Sequence, residues 1–231
     1  RSTNDDRAPG TQAREVDFEL STDTYFASDH ALEAVIPDEE RDNSDSPLQP
    51  LADRVEFLTD KILLNQEINL VSNLLNDSDV PGEDITNSAN RWSDSNIDPV
   101  TDIEQARESI VDGTQQLPNT LVLPFDVYQT VRNNPNITQR IAYSRLGVFG
   151  PTELAQLFDV ERILVPRSVS NVTASGQSAD LQPVWGKNAY LFYVPERAGL
   201  KSIAPALNFV WTQSSGLNGT SVQQWRDEGR K

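Results

Sequence analysis

The chain has no cysteine and no methionine among its 231 residues, and a single histidine, His30. Without Cys there is no disulfide, no thiolate metal site and no Cys nucleophile. One imidazole excludes every catalytic triad or zinc cluster that needs two, and His30, set among charged neighbours, reads as incidental. No apolar run approaches the roughly 20 residues that cross a bilayer. No secretory signal opens the chain, so no membrane partner is expected. Methionine is missing even at position 1, so Arg1 is expected to mark a processed chain or a fragment.

What is abundant is acid, and it is unevenly placed. Residues 1–112 hold 27 Asp and Glu against 8 Lys and Arg, a net charge of −19; residues 113–231 hold 8 against 11, a net charge of +3. Phosphate is repelled by so acidic a surface, so tight nucleic-acid wrapping by the first half is not expected. An acidic surface serves solubility in its own right. It would also lie against a complementary basic surface, and the basic half of a second copy is the obvious one.

Residues 1–14 are polar, with Pro9 and Gly10, and read as a flexible arm. In residues 15–36, Val16, Phe18 and Leu20 alternate with Asp17 and Glu19 as on one face of a strand, with Tyr25–Phe26 and residues 32–36 as a return strand. So small a hairpin is marginal alone in water, so it is expected to lie on its own domain or on a neighbour. An acidic turn region at 37–50 precedes a capping-box start, Ser46-Pro47-Leu48-Gln49. Residues 51–75 then read as one long helix, with Leu51, Val55, Leu58 and Ile62 on one stripe. Leu64, Ile68, Val71 and Leu75 continue it after a phase shift. A second helix opens at Asp98-Pro99, carries Ile103, Ala106 and Ile110 on one face, and is expected to stop at Gly113.

Residues 117–131, LPNTLVLPFDVYQTV, fix a strand–proline–helix unit. Residues 119–123 are apolar and β-branched, Pro124 ends the strand and suits a first helical turn, and Val127 and Val131 share one helix face. A strand feeding a helix often builds a ligand site. Here the connection carries no glycine loop, Ser nucleophile or Lys for phosphate, which points to a building block rather than an enzyme. Helices are expected at 136–144 and 151–158, and strands at 162–165, 185–194 (interrupted by Gly186) and 207–211.

Other candidate chemistry is thin. Asp77 and Asp79 match the start of a calcium loop, with Gly82 at its sixth position, but Pro81 and Ser88 stand at positions five and twelve. A solvated acidic loop fits better, and this pair remains only a weak metal candidate. No carboxylate pair is set beside clustered aromatics, so no sugar-cleaving site is expected. Trp92, Trp185, Trp211 and Trp225 are scattered as core or interface anchors would be. The sequons at Asn136, Asn171 and Asn218 read as incidental. No catalytic residue and no cofactor is expected.

Taken in order, these segments resemble the major capsid proteins of tailed phages, which share the Hong Kong 97-like fold. The resemblance is carried by VDFELS, HALEAVIPDEERDNSDSPLQP, LADRVEFLTDKILLNQEINLVSNLLND, RWSD, DPVTDIEQA, LPNTLVLPFDVYQTVRNNPNITQRIAYS, PTELAQLFDVERILV, VWGKNAYLFYVPERAGL and FVW. It implies an α+β fold. Residues 1–14 would be the N-terminal arm and 15–46 an extended β-hairpin loop reaching over a neighbouring subunit. Residues 47–112 would be a peripheral domain with a spine helix at 51–75, 113–204 an axial domain, and 205–231 a return to the peripheral domain. Val16, Phe18, Leu20, Tyr25 and Phe26 would be subunit-interface residues. The function implied is a non-enzymatic coat subunit of a tailed phage or prophage. Such subunits assemble in the host cytoplasm into pentamers and hexamers of a shell, which encloses DNA without sequence-specific binding; scaffold, portal and decoration proteins are further partners of such shells.

Two departures bear on that picture. The family continues beyond a segment like VQQWRDEGRK with another strand, so a chain ending at Lys231 is expected to be incomplete there. Some members lock their shells through a lysine on the extended loop; Lys61 is the first lysine here, so no such cross-link is expected. Two other readings compete. A soluble α/β enzyme or ligand-binding domain would need a convergent polar set that the sequence does not offer. A tail or adhesion protein would show repeats or fibre patterning, and neither is visible.

Overall fold

A three-stranded sheet is built where the sequence is most apolar. In the computed structural model, β1 (Thr120–Val122) is central, parallel to β2 (Arg162–Leu164) and antiparallel to β5 (Tyr190–Phe192). The structure describes residues 6, 10, 12, 22, 24, 26–45, 47–74, 91–142, 150–174, 176–197, 199, 204–209 and 221–226. Every residue of β1 is buried, as befits a central strand. The register sets Leu121 opposite Ile163 on one side and Leu191 on the other.

Asn119 splices both pairings. Its backbone N–H donates to Phe192 O (3.0 Å), its backbone O accepts from Glu161 and Arg162 N–H, and its side chain exchanges two hydrogen bonds with Val194 (2.8 and 2.9 Å). As expected, Pro124 ends the strand and caps helix α4 (Phe125–Asn133), which buries Tyr128 and Val131 while Val127 packs beside them. Asn134 ends α4 and caps α5 (Pro135–Ala142), accepting from Asn136 N–H at 2.9 Å. Helix α6 (Pro151–Leu157) starts at a proline, with the Glu153 carboxylate accepting from Gly150 N–H. It buries Leu154 and Ala155 before the chain enters β2. A parallel pair needs such a crossover.

Helix α3 (Pro99–Thr114) covers the same core. Asp98 caps it through Val100 N–H, and Val100 and Ile103 are buried against Leu121, Leu123, Val131, Ile137, Leu154 and Phe158. Trp92 joins this core and donates its indole N–H to Asp102 at 2.7 Å. Val100 and Ile103, which precede the boundary expected at residue 112, share this core with residues that follow it. Among the described residues, the first buried residue is Pro99 and the last is Val160.

Several expectations are corrected. Helix α3 does not stop at Gly113: it runs to Thr114, and Gln115 takes the left-handed cap conformation at φ 56°. Its inward stripe includes Arg107 and not the exposed Ala106, because the Arg107 guanidinium reaches the Asp159 carboxylate at 2.5 Å. The long helix α2 (Pro50–Leu74) begins at Pro50 and not at Pro47, since Leu48 N–H closes a separate turn onto Asp45 O. A short helix α1 (Asp38–Asp42) occupies part of the expected acidic turn region.

The strand expected over 185–194 shortens to β5, because residues 184–187 form a turn in which Gly186 takes φ 63°. A hairpin the sequence reading missed, β3 (Val169–Asn171) with β4 (Leu181–Pro183), precedes it. No strand appears at 26–36 or at 207–209, although strands were expected there; Val16, Phe18, Leu20, Tyr25, Val210 and Trp211 lie outside the described residues.

Candidate assembly surface

Helix α2 is 25 residues long, about 37 Å at 1.5 Å per residue. It has apolar side chains on two sides. At about 100° per residue, Leu51, Val55, Leu58 and Ile62 form one stripe, and Phe57, Leu64, Ile68 and Val71 form another on the far side. A helix that is apolar on opposite sides is stable when both are covered. In the single chain no described residue of α2 is buried: Val55, Leu58, Ile62, Leu64, Ile68 and Val71 are half-buried, while Leu51, Phe57, Leu63 and Leu70 are close to half exposed.

At its N-terminal end α2 meets α1. Glu40 pairs with Arg54 at 3.4 Å, and Asp38 pairs with Arg41 (3.3 Å) and with Arg226 (3.1 Å). All of these side chains are well exposed, so each pair contributes at most about 1 kcal/mol. An open groove of about 670 Å³ lies between the two helices, lined by Asn43, Leu48, Pro50 and Phe57 among others. Before α1, residues 26–35 are exposed throughout and have no regular structure. Phe26 is 92% exposed, and Leu32 and Val35 stand out beside it.

Further along, Glu67 of α2 binds the hairpin. Its Oε1 accepts from Ser168 Oγ at 2.6 Å and from Trp185 Nε1 at 2.5 Å. A second groove, about 270 Å³, opens beside this contact between Pro124, Phe125, Pro166, Arg167, Pro183 and Trp185. The Arg167 guanidinium sits over the Phe125 ring, 5.3 Å from its centre. Val169, Val172 and Leu181 expose roughly half of their surface or more on the same hairpin.

The residues expected to act fall as follows. Phe26 is fully displayed, whereas Val16, Phe18, Leu20 and Tyr25 lie outside the described residues, as do Asp77 and Asp79. Among the described residues no group of three or more His, Asp or Glu is arranged to hold a metal ion, and no helix is long and apolar enough to cross a membrane. His30 is exposed, 3.3 Å from the Ser28 hydroxyl. Trp92 and Trp185 are anchored by Asp102 and Glu67, and Trp225 is 66% exposed. Two sequon asparagines have structural tasks: Asn136 holds the loop at 95–97 through Ser95 O and Ile97 O, and Asn171 caps both ends of the β3–β4 connection. Sequence reading missed Glu67, because one acid among many on a long helix gives no signal before its partners are placed.

Comparison with known proteins shows what the chain is similar to. The chain is 30% identical to the major capsid protein of Pseudomonas phage JBD67 over 189 residues, 79% of this chain and 59% of that protein. Its sequence is similar to that of phage major capsid proteins. A second capsid relative, from Burkholderia phage BcepMu, is 27% identical over 189 residues, 81% of this chain and 60% of that protein. The chain thus spans about six-tenths of the length of the capsid proteins it matches. In three dimensions it is similar to a phage-related protein from Bordetella bronchiseptica, with a TM-score of 0.58 and 24% identity, over 69% of this chain and 54% of that one. No protein-family model matches. The mixed helix and strand architecture is in keeping with a capsid-like α+β fold.

Proposed function

We propose that this chain is a structural subunit of a phage capsid, non-enzymatic, that associates with copies of itself into the pentamers and hexamers of an icosahedral shell around DNA. One observation carries the reading: a 25-residue helix with apolar side chains on opposite sides and no described residue buried, in a chain similar to capsid proteins over about 80% of its length. Covering the exposed halves of Leu51, Phe57, Leu63 and Leu70 stabilises a contact by about 1 kcal/mol each. Association itself costs from about 4 to 15 kcal/mol. The helix therefore associates only together with other surfaces, and residues 26–35, the α1–α2 groove and hairpin β3–β4 supply them.

In this reading the fold is of the Hong Kong 97 type. Residues 1–14 are its arm and 15–46 the loop that lies on a neighbour, with Val16, Phe18, Leu20, Tyr25 and Phe26 as contacts. Residues 47–112, with helix α2 as the spine, are the peripheral domain, 113–204 the axial domain and 205–231 the return to the peripheral domain. Surfaces of this kind make head-to-tail contacts that close into rings. The shell is a virion component assembled in the host cytoplasm, and scaffold, portal and decoration proteins would meet it there.

The test is deletion of residues 15–41. No described residue in that stretch is buried, so the remainder is expected to keep its circular dichroism and cooperative melting while losing rings and shells in electron micrographs. Shells of parental form from the deleted chain would refute the proposal, as would a full chain that stays monomeric at its highest soluble concentration.

A further inference from the structure

The side-chain hydrogen bonds that described residues of α2 make to the chain beyond residue 90 all end at one carboxylate, that of Glu67. Its two donors belong to one construction. Ser168 stands just before β3 and Trp185 just after β4, and Val184 N–H donates to Ser168 O at 3.0 Å, closing the base of the hairpin. Trp185 is aimed by the turn that follows, where Gly186 takes φ 63° and donates to Pro183 O; that conformation is costly for any residue with a side chain.

From Trp185 the contacts continue inward. Its ring meets Tyr190 edge-on at 5.8 Å, and the Tyr190 hydroxyl donates to Trp185 O. Tyr190 in turn stacks on Phe192 at 6.2 Å. Both tyrosine and phenylalanine belong to β5, which pairs with the buried β1. A rigid aromatic series therefore runs from the α2 carboxylate to the central sheet.

We propose that Glu67 is a latch: it fixes the angle of α2 against the sheet-containing body, and its release frees α2 to swing while that body stays folded. The core that holds the body together draws its buried residues from 100–160 and none from α2, so opening the latch uncovers nothing the body needs. Two donors on one carboxylate oxygen make a short and directional tie, unlike the diffuse apolar contact of a half-buried helix. If α2 carries the contacts of a shell, the latch also sets the direction in which Leu63 and Leu70 face the next copy. That consequence rests on the assembly reading; the latch does not.

Because the chain has no native cysteine, a pair can be introduced cleanly. Asp60→Cys on α2 and Gln129→Cys on α4 are both exposed positions, and spin labels there report the distance between helix and body by pulsed electron resonance. The full chain is used, diluted with unlabelled protein so that only distances within one molecule are read. A single narrow distance is expected in the Glu67 background. Glu67→Leu, and separately the pair Ser168→Ala with Trp185→Phe, are expected to replace it with a broad distribution, while amides of β1 and α6 keep their hydrogen-exchange protection. Glu67→Gln, which retains a neutral acceptor, is expected to fall between. A distribution in Glu67→Leu as narrow as the parent's overturns the proposal. So does loss of protection in β1 and α6, which would make Glu67 a support of the body and not a latch. Neither readout depends on whether shells form.

Discussion

Asn134 offers the sharpest test of how the body is held together. It is 3% exposed and serves three elements at once. Its Nδ2 donates to Trp92 O and to Ile97 O, both at 3.1 Å, and its Oδ1 accepts from Asn136 N–H at 2.9 Å, capping α5. Asn134→Ala removes all three bonds and leaves two carbonyls and one N–H without that partner. At about 1 kcal/mol net for each bond, the loss is about 3 kcal/mol. In a chain of this size that lowers the melting temperature by about 6–12 °C. Asn134→Asp is nearly the same shape and keeps the capping oxygen, at a helix end that favours negative charge. It replaces the donor with an oxygen facing two carbonyl oxygens, so its loss is expected to match or exceed that of alanine. Urea unfolding followed at 222 nm gives both values, and an unchanged m-value shows that the folded and unfolded states keep their compactness. Parental stability in Asn134→Asp would refute the assignment of the amide as the donor that holds residues 92 and 97.

Three further outcomes are expected. Leu121, 1% exposed in the central strand, should cost about 2–5 kcal/mol when changed to alanine, whereas Leu63→Ala, half exposed on α2, should change chain stability by no more than about 0.5 kcal/mol and reduce association instead; urea melts and sedimentation separate the two effects. Gln115→Gly should stabilise by about 1 kcal/mol, because a side chain is strained at φ 56°, and Gln115→Val should move the melting point the other way. Asp98→Ala removes the α3 cap and the ion pair with Arg140, and should cost about 1–2 kcal/mol in the same melt.

The parts of the fold that were legible are those in which local chemistry and burial agree. The unit at 117–131 could be read because a buried β-branched run, a proline and a four-residue spacing each admit one interpretation, and the structure satisfies all three. Helix α2 was readable from its stripes, within a residue at its start. What escaped was decided at a distance. Hairpin β3–β4 reads Val-Ser-Asn and Leu-Gln-Pro with most side chains exposed, so it shows no apolar alternation. It is stapled instead by the Asn171 side chain and by Glu67 on a distant helix. The inward place of Arg107 was hidden because its partner Asp159 lies 52 residues away. Glycine 113 looked like a stop, but Ile110, Val111 and Thr114 all gain cover by staying helical, and the chain accepts a left-handed glutamine two residues later. For the assembly surface, the exposed helix faces were visible as pattern, and the contact through Glu67 was not.

That the first buried residue among those described is Pro99 has a consequence for synthesis. At about 5–20 residues per second, the stretch from the start of α2 to Val160 takes on the order of ten seconds to make. Until then the apolar stripes of α2 have no folded body beside them, and nascent copies on one message lie close together. Over that interval the exposed material is the half that carries 27 acids and a net charge of −19. Mutual repulsion between such segments slows their encounter at low ionic strength and fades as salt screens it. In a chain that associates with its own copies, such repulsion would delay association until the body beside α2 has folded.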